Sequence, residues 1–151
     1  MALGRKNIEV NDHTDQFLEY LDKAIVNGLT AIGMTAEGHA KKAITNQKAV
    51  DTGRLRNSIT YALAGEKPHV TQYRGYKRSE GEDKRKIYSY DGTAPGEKGD
   101  GVYIGTNVEY APYVELGTRK MRARPFLKPA ATEHNDEYKK IMEAALKSAE
   151  E

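Results

Sequence analysis

The sequence contains no cysteine, and no apolar run approaches the length of a membrane span. Disulfide bonds and thiolate chemistry are therefore excluded. A membrane-spanning helix needs about 18 or more consecutive apolar residues, so we expect no membrane partner. Residues 1–10 lack the apolar core of a secretory signal, so we expect the chain to be made and kept in the cytoplasm, or built into a particle there.

Large apolar residues are also scarce. Leu, Ile, Val and Phe together supply 26 of the 151 residues, which is below the roughly 20% at which a chain of high net charge becomes disordered. The net charge is only +2, so charge repulsion does not prevent folding. We predict a single domain over residues 1–151 with a light core. Such a domain gains stability by burying more surface against neighbours in an oligomer.

Charge is distributed unevenly near the C-terminus. Residues 119–128 contain five basic residues and no acid, whereas residues 133–151 contain six acids and three lysines. Five cations in ten residues attract phosphate, which would suit a nucleic-acid contact. The same cations could instead pair with acidic patches on a neighbouring subunit. The adjacent acidic segment favours pairing between subunits.

A long helix is predicted over residues 12–48. Its apolar positions recur every three or four residues, which is the helical period. Asp12 is a suitable N-cap for this helix. Glycines at 28, 33 and 38 each cost about 1 kcal/mol relative to alanine inside a helix. They indicate either close packing against a neighbour or a break near residues 33–38.

The middle of the chain is predicted to be strands and turns. Residues 54–64 alternate apolar and polar side chains like a strand. Residues 65–100 form a charged, glycine-rich segment in which residues 69–73 and 86–90 could be short strands. This segment is either a flexible hairpin arm that orders on assembly or a mobile surface loop.

The last third is predicted to be a strand over 101–108, one helical turn over 109–118 and a final helix that begins near Pro129. Helices at both ends of the chain indicate an α+β fold. It would comprise a long N-terminal helix, a small mainly antiparallel sheet with a short helix inserted, and a C-terminal helix.

No catalytic, cofactor-binding or metal-binding motif is apparent. Asp51-Thr52-Gly53 matches the short motif of aspartic proteases, but it follows a helical pattern and precedes the bulky Arg54. The four histidines do not stand at metal-ligand spacing from one another. We therefore expect neither an enzyme nor a cofactor.

Two stretches are more distinctive. The first is DTGRLRNSI at residues 51–59, and the second is GTNVEYAPYVELGT at residues 105–118, which runs on into RPFLKPA at 124–130. In this order, with a helix before and after them, they resemble the head–tail connector or tail-completion family of long-tailed phages, which is described as a minor tail component. The resemblance spans roughly residues 10–150.

The resemblance implies a structural virion protein of the phage neck that joins or completes the tail for attachment to the DNA-filled head. It implies a ring-forming protomer, in a homo-oligomer that we expect to be a hexamer, beside the tail terminator and head-completion proteins. Genomic DNA would pass through the conduit. The alternative is a small basic nucleic-acid-binding module, suggested by the basic cluster.

The resemblance also identifies structural or interface residues in the two stretches. They are Gly53, Arg54, Leu55, Ser58, Tyr110, Ala111, Tyr113, Glu115, Gly117, Thr118, Arg124, Pro125, Phe126 and Pro129. Among these, we expect Glu115 to pair with Arg54 or Arg124 and to fix the short helix to the sheet.

Overall fold

The computed structural model describes residues 12–47, 53–76 and 85–148. Its helices are α1 (Thr14–Asn46), α2 (Arg54–Ser58), α3 (Ala111–Leu116), α4 (Leu127–Thr132) and α5 (Asn135–Ser148). Its strands are β1 (Thr60–Leu63), β2 (Gln72–Tyr76), β3 (Arg85–Ser89) and β4 (Val102–Gly105). The predicted α+β fold, with a long helix at the start and a helix at the end, is confirmed.

Helix α1 confirms the predicted N-terminal helix and is unbroken. Asp12 accepts a hydrogen bond of 2.9 Å from the backbone N–H of Thr14, although His13 occupies the N-cap position. Close packing explains two of its glycines. A Cβ on Gly33 would lie 2.6 Å from the Tyr61 ring, and one on Gly28 would lie 2.7 Å from the sulfur of Met142.

The strands form two separate antiparallel pairs rather than one small sheet. Strand β1 pairs with β4, and Thr60 lies opposite Gly105. Strand β2 pairs with β3 in a hairpin, and Gln72 lies opposite Ser89. Helix α1 packs across the β1–β4 pair, and it also contacts α4 and α5. The long helix is thus the element that connects the sheet to the C-terminal helices.

The prediction of a strand from residue 54 was wrong in its first half. Residues 54–58 form helix α2, which begins after Gly53 at a φ of +74°. Leu55 and Ser58 are three residues apart, so both point from one face of a helix into the interior. The extended chain starts only at Thr60, and from there side chains alternate between the two faces of strand β1.

The single predicted C-terminal helix is two helices. Pro129 is the third residue of α4 and not the first of one long helix. A proline is tolerated there because the N–H groups of the first helical turn have no intrahelical partner. Between α4 and α5, the Tyr138 hydroxyl donates a hydrogen bond to the Ala130 carbonyl. In a continuous helix, this carbonyl would accept a hydrogen bond from the N–H of His134 instead.

The core joins helix α1 to both distinctive stretches. Phe126, Ile44 and Ile59 are its largest fully buried apolar side chains. The remaining members of the cluster are Ala40, Leu55, Tyr73, Val108, Ala111 and Ala130. Alanine predominates on α1 beyond residue 36, so the neighbouring elements approach this helix closely.

The segment predicted as a charged arm has two described parts. In the first, Tyr73 of β2 is buried in the core, and Tyr88 and Tyr90 pack against it. In the second, the turn near residue 94 is held to the chain at Gly65 and Glu66 by two backbone hydrogen bonds. Residues 77–84 lie outside the described residues, and so the flexibility of the arm stays a prediction.

Candidate assembly site

The two distinctive stretches meet at an ion pair between Arg54 and Glu109. The guanidinium donates two hydrogen bonds to the carboxylate, with N–O distances of 2.9 and 2.7 Å. Arg54 is buried, while the Glu109 side chain is largely exposed. The predicted pairing of Arg54 with Glu115 is wrong, because Glu109 takes that place. This bidentate contact fixes α2 to the chain segment that leads into α3.

Aromatic rings surround the same arginine. The Arg54 guanidinium lies 4.0 Å from the centre of the Tyr88 ring and 5.6 Å from that of Tyr110. A Cβ on Gly75 would lie 2.5 Å from Cγ of Arg54, so the arginine stem packs directly on strand β2. Burial alone would lower the pKa of Arg54, but the hydrogen bond and charge of Glu109 raise it overall. The arginine is therefore a permanently charged bridge between α2 and the hairpin.

A second group of polar contacts lies next to this bridge. The Tyr90 hydroxyl donates to the carbonyl of Ser58 and accepts a hydrogen bond from the N–H of Asn107. The Asn107 side chain in turn donates to the carbonyl of Ser89. Burial raises the pKa of Tyr90, so this hydroxyl remains a donor at neutral pH. The hairpin is thus bonded to both distinctive stretches.

Glu115 acts as a cap for helix α4. Its carboxylate accepts hydrogen bonds from the backbone N–H groups of Phe126, Leu127 and Lys128, with distances of 2.7, 3.1 and 2.9 Å. These donors belong to the first turn of α4, where no helical carbonyl is available to them. The predicted ion pair with Arg124 is therefore also wrong. Glu115 still fixes α3 to the rest of the fold, but through backbone groups.

The loop after α3 is held in one shape by its backbone. Gly117 has a φ of +77°, and a Cβ there would lie 2.7 Å from the nitrogen of Ala123. Thr118 donates its N–H to the Met121 carbonyl at 2.8 Å, and its hydroxyl accepts the N–H of Met121. The N–H of Arg124 donates to the carbonyl of Val114. These contacts present residues 118–124 as an ordered, exposed loop.

Most of the proposed site residues lie inside the fold. Those that are buried or half-buried are Gly53, Arg54, Leu55, Ser58, Tyr110, Ala111, Glu115, Gly117, Pro125, Phe126 and Pro129. Tyr113, Thr118 and Arg124 are exposed. The two stretches therefore build a scaffold, and only a small part of them faces outwards. Their role as interface residues stays a prediction.

One exposed surface is apolar and basic. It carries the side chains of Tyr113, Leu116 and Met121, of which Leu116 is 77% exposed. Four cations lie on the same loop, at Arg119, Lys120, Arg122 and Arg124. No described acidic side chain forms an ion pair with them. We call this the loop surface.

A second exposed surface lies at the start of α1. Residues 14–20 are all exposed, and the first buried residue of the helix is Ala24. Seven helical residues correspond to a length of about 10 Å. The apolar side chains Phe17, Leu18 and Tyr20 are each about half exposed. We call residues 12–23 the overhang surface.

The overhang surface is acidic. It contains four acids and one lysine, at Asp12, Asp15, Glu19, Asp22 and Lys23. Lys23 pairs with Glu19 at 3.3 Å, so the negative charges of this surface outnumber its one cation by three. The hydrogen bonds from the side chain and backbone of Thr14 lower the pKa of Asp12. The overhang surface thus combines apolar side chains with negative charge, and the loop surface combines them with positive charge.

A cluster of two histidines and a glutamate was missed in the sequence. His39 on α1 and His134 before α5 stack with ring centres 3.6 Å apart, and Glu137 contacts both. The sequence separation of 95 residues hides this arrangement from any spacing argument. Only knowledge that α5 folds back along α1 would have suggested it.

The fold and these surfaces define a class of protein: a small α+β building block with a structural scaffold and outward-facing contact surfaces. Residues 9–117 match the family described as bacteriophage HK97-gp10, putative tail-component. This match covers well over half of the chain, so the protein belongs to that family and is a structural component of the phage tail, and hence of the virion. The match ends at Gly117, before the RPFLKPA segment.

No curated protein and no solved structure matches the chain significantly. In the described part of the chain, no helix is both long enough and apolar enough to cross a membrane.

Proposed function

We propose that this tail component acts in the phage neck as a ring-forming protomer, and that it completes the tail for attachment to the DNA-filled head. Its neighbours would be the tail terminator and the head-completion proteins. Assembly would take place in the host cytoplasm, and genomic DNA would pass through the ring. A hexamer is the expected state from the family resemblance.

The observation that carries the proposal is the pair of unlike exposed surfaces on one small chain. The overhang surface and the loop surface each present three large apolar side chains. A contact between two different surfaces of identical chains is head-to-tail, and it closes into a ring when the rotation between copies allows it. A symmetric dimer would instead need one surface that is complementary to itself.

Charge favours the pairing of these two surfaces over other combinations. The overhang surface has four acids against one lysine, and residues 119–124 have four cations and no acid. The described part of α5 is a poorer partner, because its three acids are balanced by three lysines. Opposite charges around an apolar centre steer association and penalise the wrong register. We therefore assign the overhang of one copy to the loop of the next.

A charge-swap experiment tests this contact. Asp15→Lys with Glu19→Lys, or Arg119→Glu with Arg122→Glu, should each abolish rings, because like charges then meet across the contact. Placing all four substitutions in one chain should restore rings, since the signs are exchanged and complementary again. Native mass spectrometry and negative-stain electron microscopy of the purified chains measure the assembly.

The matched control is Lys139→Glu with Lys140→Glu, which makes a charge change of the same size on α5, outside both surfaces. This variant should assemble like the unmodified chain. Rings that survive either double reversal would refute the assigned contact, and an unmodified chain that stays monomeric at high concentration would count against a self-assembling protomer.

The place in the neck is tested in the phage itself. A nonsense mutation in the gene should yield DNA-filled heads alongside separate, complete-looking tails in electron micrographs of lysates. Intact virions from the mutant would show that the protein is dispensable for joining, and would exclude the proposed role.

The alternative function is nucleic-acid binding by the loop surface, which its four exposed cations favour. Phosphate contacts release counterions, so such binding weakens steeply as salt concentration rises. Fluorescence anisotropy with duplex DNA separates the two functions. Under this alternative Arg119→Glu with Arg122→Glu abolishes binding, Asp15→Lys with Glu19→Lys does not weaken it, and the four-fold variant does not recover it.

A further inference from the structure

We infer that His39, His134 and Glu137 form a binding site for a divalent transition-metal ion such as Zn²⁺. The three residues come from the last third of α1, the junction before α5 and the first turn of α5. Each offers one ligand atom, and these atoms all lie within 4.8 Å of one another. This site is independent of the overhang and loop surfaces.

The distances are close to those that a metal requires. Nε2 of His39 lies 2.8 Å from Oε2 of Glu137, and Nδ1 of His134 lies 3.7 Å from the same oxygen. Zinc binds imidazole nitrogen and carboxylate oxygen at about 2.0–2.2 Å, which places neighbouring ligands in a tetrahedron about 3.4 Å apart. Each of these two nitrogen–oxygen distances would therefore need to change by less than about 1 Å to match the spacing of ligands around one zinc ion.

The rings are nearly parallel, with an angle of 3° between their planes. Their lone pairs do not yet converge on one point, so binding requires a ring to turn about its Cβ–Cγ bond. Both imidazoles are half-buried and the glutamate is exposed. The packed sides hold the rings near each other, and the open side leaves room for this turn and for water as a further ligand.

The hydrogen bonding leaves one ligand atom available. His39 is bonded to Glu137, but the nearest approach of His134 to that carboxylate is longer than a hydrogen bond. No other described residue forms a hydrogen bond with the His134 ring. Two nitrogens and one carboxylate oxygen suit Zn²⁺, Co²⁺, Ni²⁺ or Cu²⁺ far better than Mg²⁺, which prefers oxygen ligands. A bound ion would tie α5 to α1.

Zinc titration of the tag-free chain tests the site. Isothermal titration calorimetry should give one Zn²⁺ per chain, and EDTA should reverse the binding. At a free zinc concentration about 100-fold above Kd, the melting temperature should rise by about 5–10 °C, because the ion binds only the folded chain. Mg²⁺ at the same concentration should leave the melting temperature unchanged. Binding should weaken in acid, since a protonated imidazole nitrogen cannot act as a ligand.

Variants assign the binding to these residues. His39→Gln and His134→Gln should each remove the zinc-dependent rise, and Glu137→Gln should weaken binding about 10-fold or more. The control is His13→Gln, an exposed histidine outside the cluster, which should bind zinc normally. With Co²⁺ as the probe, the visible absorption of a coordinated ion should appear in the unmodified chain and the control but not in the His134 variant.

Two results would overturn the inference. One is the absence of any zinc-dependent change at roughly millimolar zinc, which would leave the cluster as a hydrogen bond between His39 and Glu137. The other is zinc binding that persists unchanged in His134→Gln, which would place the ion elsewhere. Because circular dichroism reports folding of each variant without metal, a folding failure is distinguished from a loss of ligands.

Discussion

At the scale of single residues, the side chains of the two distinctive stretches mostly satisfy backbone groups. Glu115 is the clearest case, because one carboxylate accepts three backbone N–H groups at the start of α4. Negative charge at a helix start is favourable in itself. The segment from 124 to 130 is therefore held against α3 by this side chain and by the backbone hydrogen bond from Arg124 to Val114.

Glu115→Gln should lower the free energy of unfolding by about 1–3 kcal/mol, since the amide keeps one acceptor oxygen and loses the charge. Urea denaturation followed by circular dichroism measures the change. Glu143→Gln is the control, because Glu143 is an exposed glutamate on α5 away from any helix start. Equal stability of the two variants would show that the three hydrogen bonds contribute little.

The resemblance identified Arg54 and Glu115 as candidate structural residues, but it did not predict the partners that they have in the structure. Both residues lie in charged segments, where opposite charge alone allows several different partners. Helix α2 decides the outcome, because it turns Arg54 towards Gly75 and Glu109 rather than towards α3. A prediction that treats residues 54–58 as a strand cannot place that side chain correctly.

At the scale of elements, α1 carries glycines that differ in their surroundings. A methyl group added at Gly33 would lie less than 3 Å from side-chain atoms of Tyr61 and Val102, whereas one at Gly38 would meet no atom within 4 Å. Both glycines cost the helix the same intrinsic propensity. Their substitution by alanine therefore separates packing from propensity within one helix.

Gly38→Ala should raise the free energy of unfolding by about 0.5–1 kcal/mol, because alanine is the better helix former and nothing obstructs it. Gly33→Ala should lower it by about 1–3 kcal/mol, because overpacking against the sheet exceeds the gain in propensity. Chemical denaturation of the two variants gives both values. Two changes of the same sign would contradict the close approach of α1 to the β1–β4 pair.

The regular period of α1 made its limits predictable to within two residues at each end. The C-terminal helix had an equally regular pattern, yet it is interrupted between α4 and α5. The hydrophobic period does not predict this break, because the Ala130 carbonyl accepts its hydrogen bond from the side-chain hydroxyl of Tyr138, eight residues later. Long-range pairing of β1 with β4 was similarly beyond local pattern, since more than 40 residues separate the partners at Thr60 and Gly105.

At the scale of the whole molecule, several tyrosines bury their hydroxyl groups in a light core. Burial raises the pKa of Tyr61, Tyr73, Tyr90 and Tyr138. The fold therefore depends on keeping these phenol groups neutral. Charge on any of them would have to be carried in a poorly hydrated site.

This arrangement predicts a loss of stability in alkaline solution. The unfolded tyrosines release their protons near pH 10, whereas the folded ones hold them to higher pH. The folded state then binds more protons than the unfolded state, so the stabilisation is complete below about pH 10 and is lost as pH rises through the folded pKa values. Each such tyrosine contributes a slope of up to about 1.4 kcal/mol per pH unit within its window.

Urea denaturation between about pH 8 and pH 11 measures that slope. Tyr90→Phe should reduce it, because one buried group no longer titrates in the unfolded chain, and it should also lower stability at the neutral end through the lost bond to Ser58. Tyr113→Phe should leave the slope unchanged, since Tyr113 is exposed in the monomer. A slope that is the same in both variants would mean that the buried tyrosines do not control alkaline unfolding.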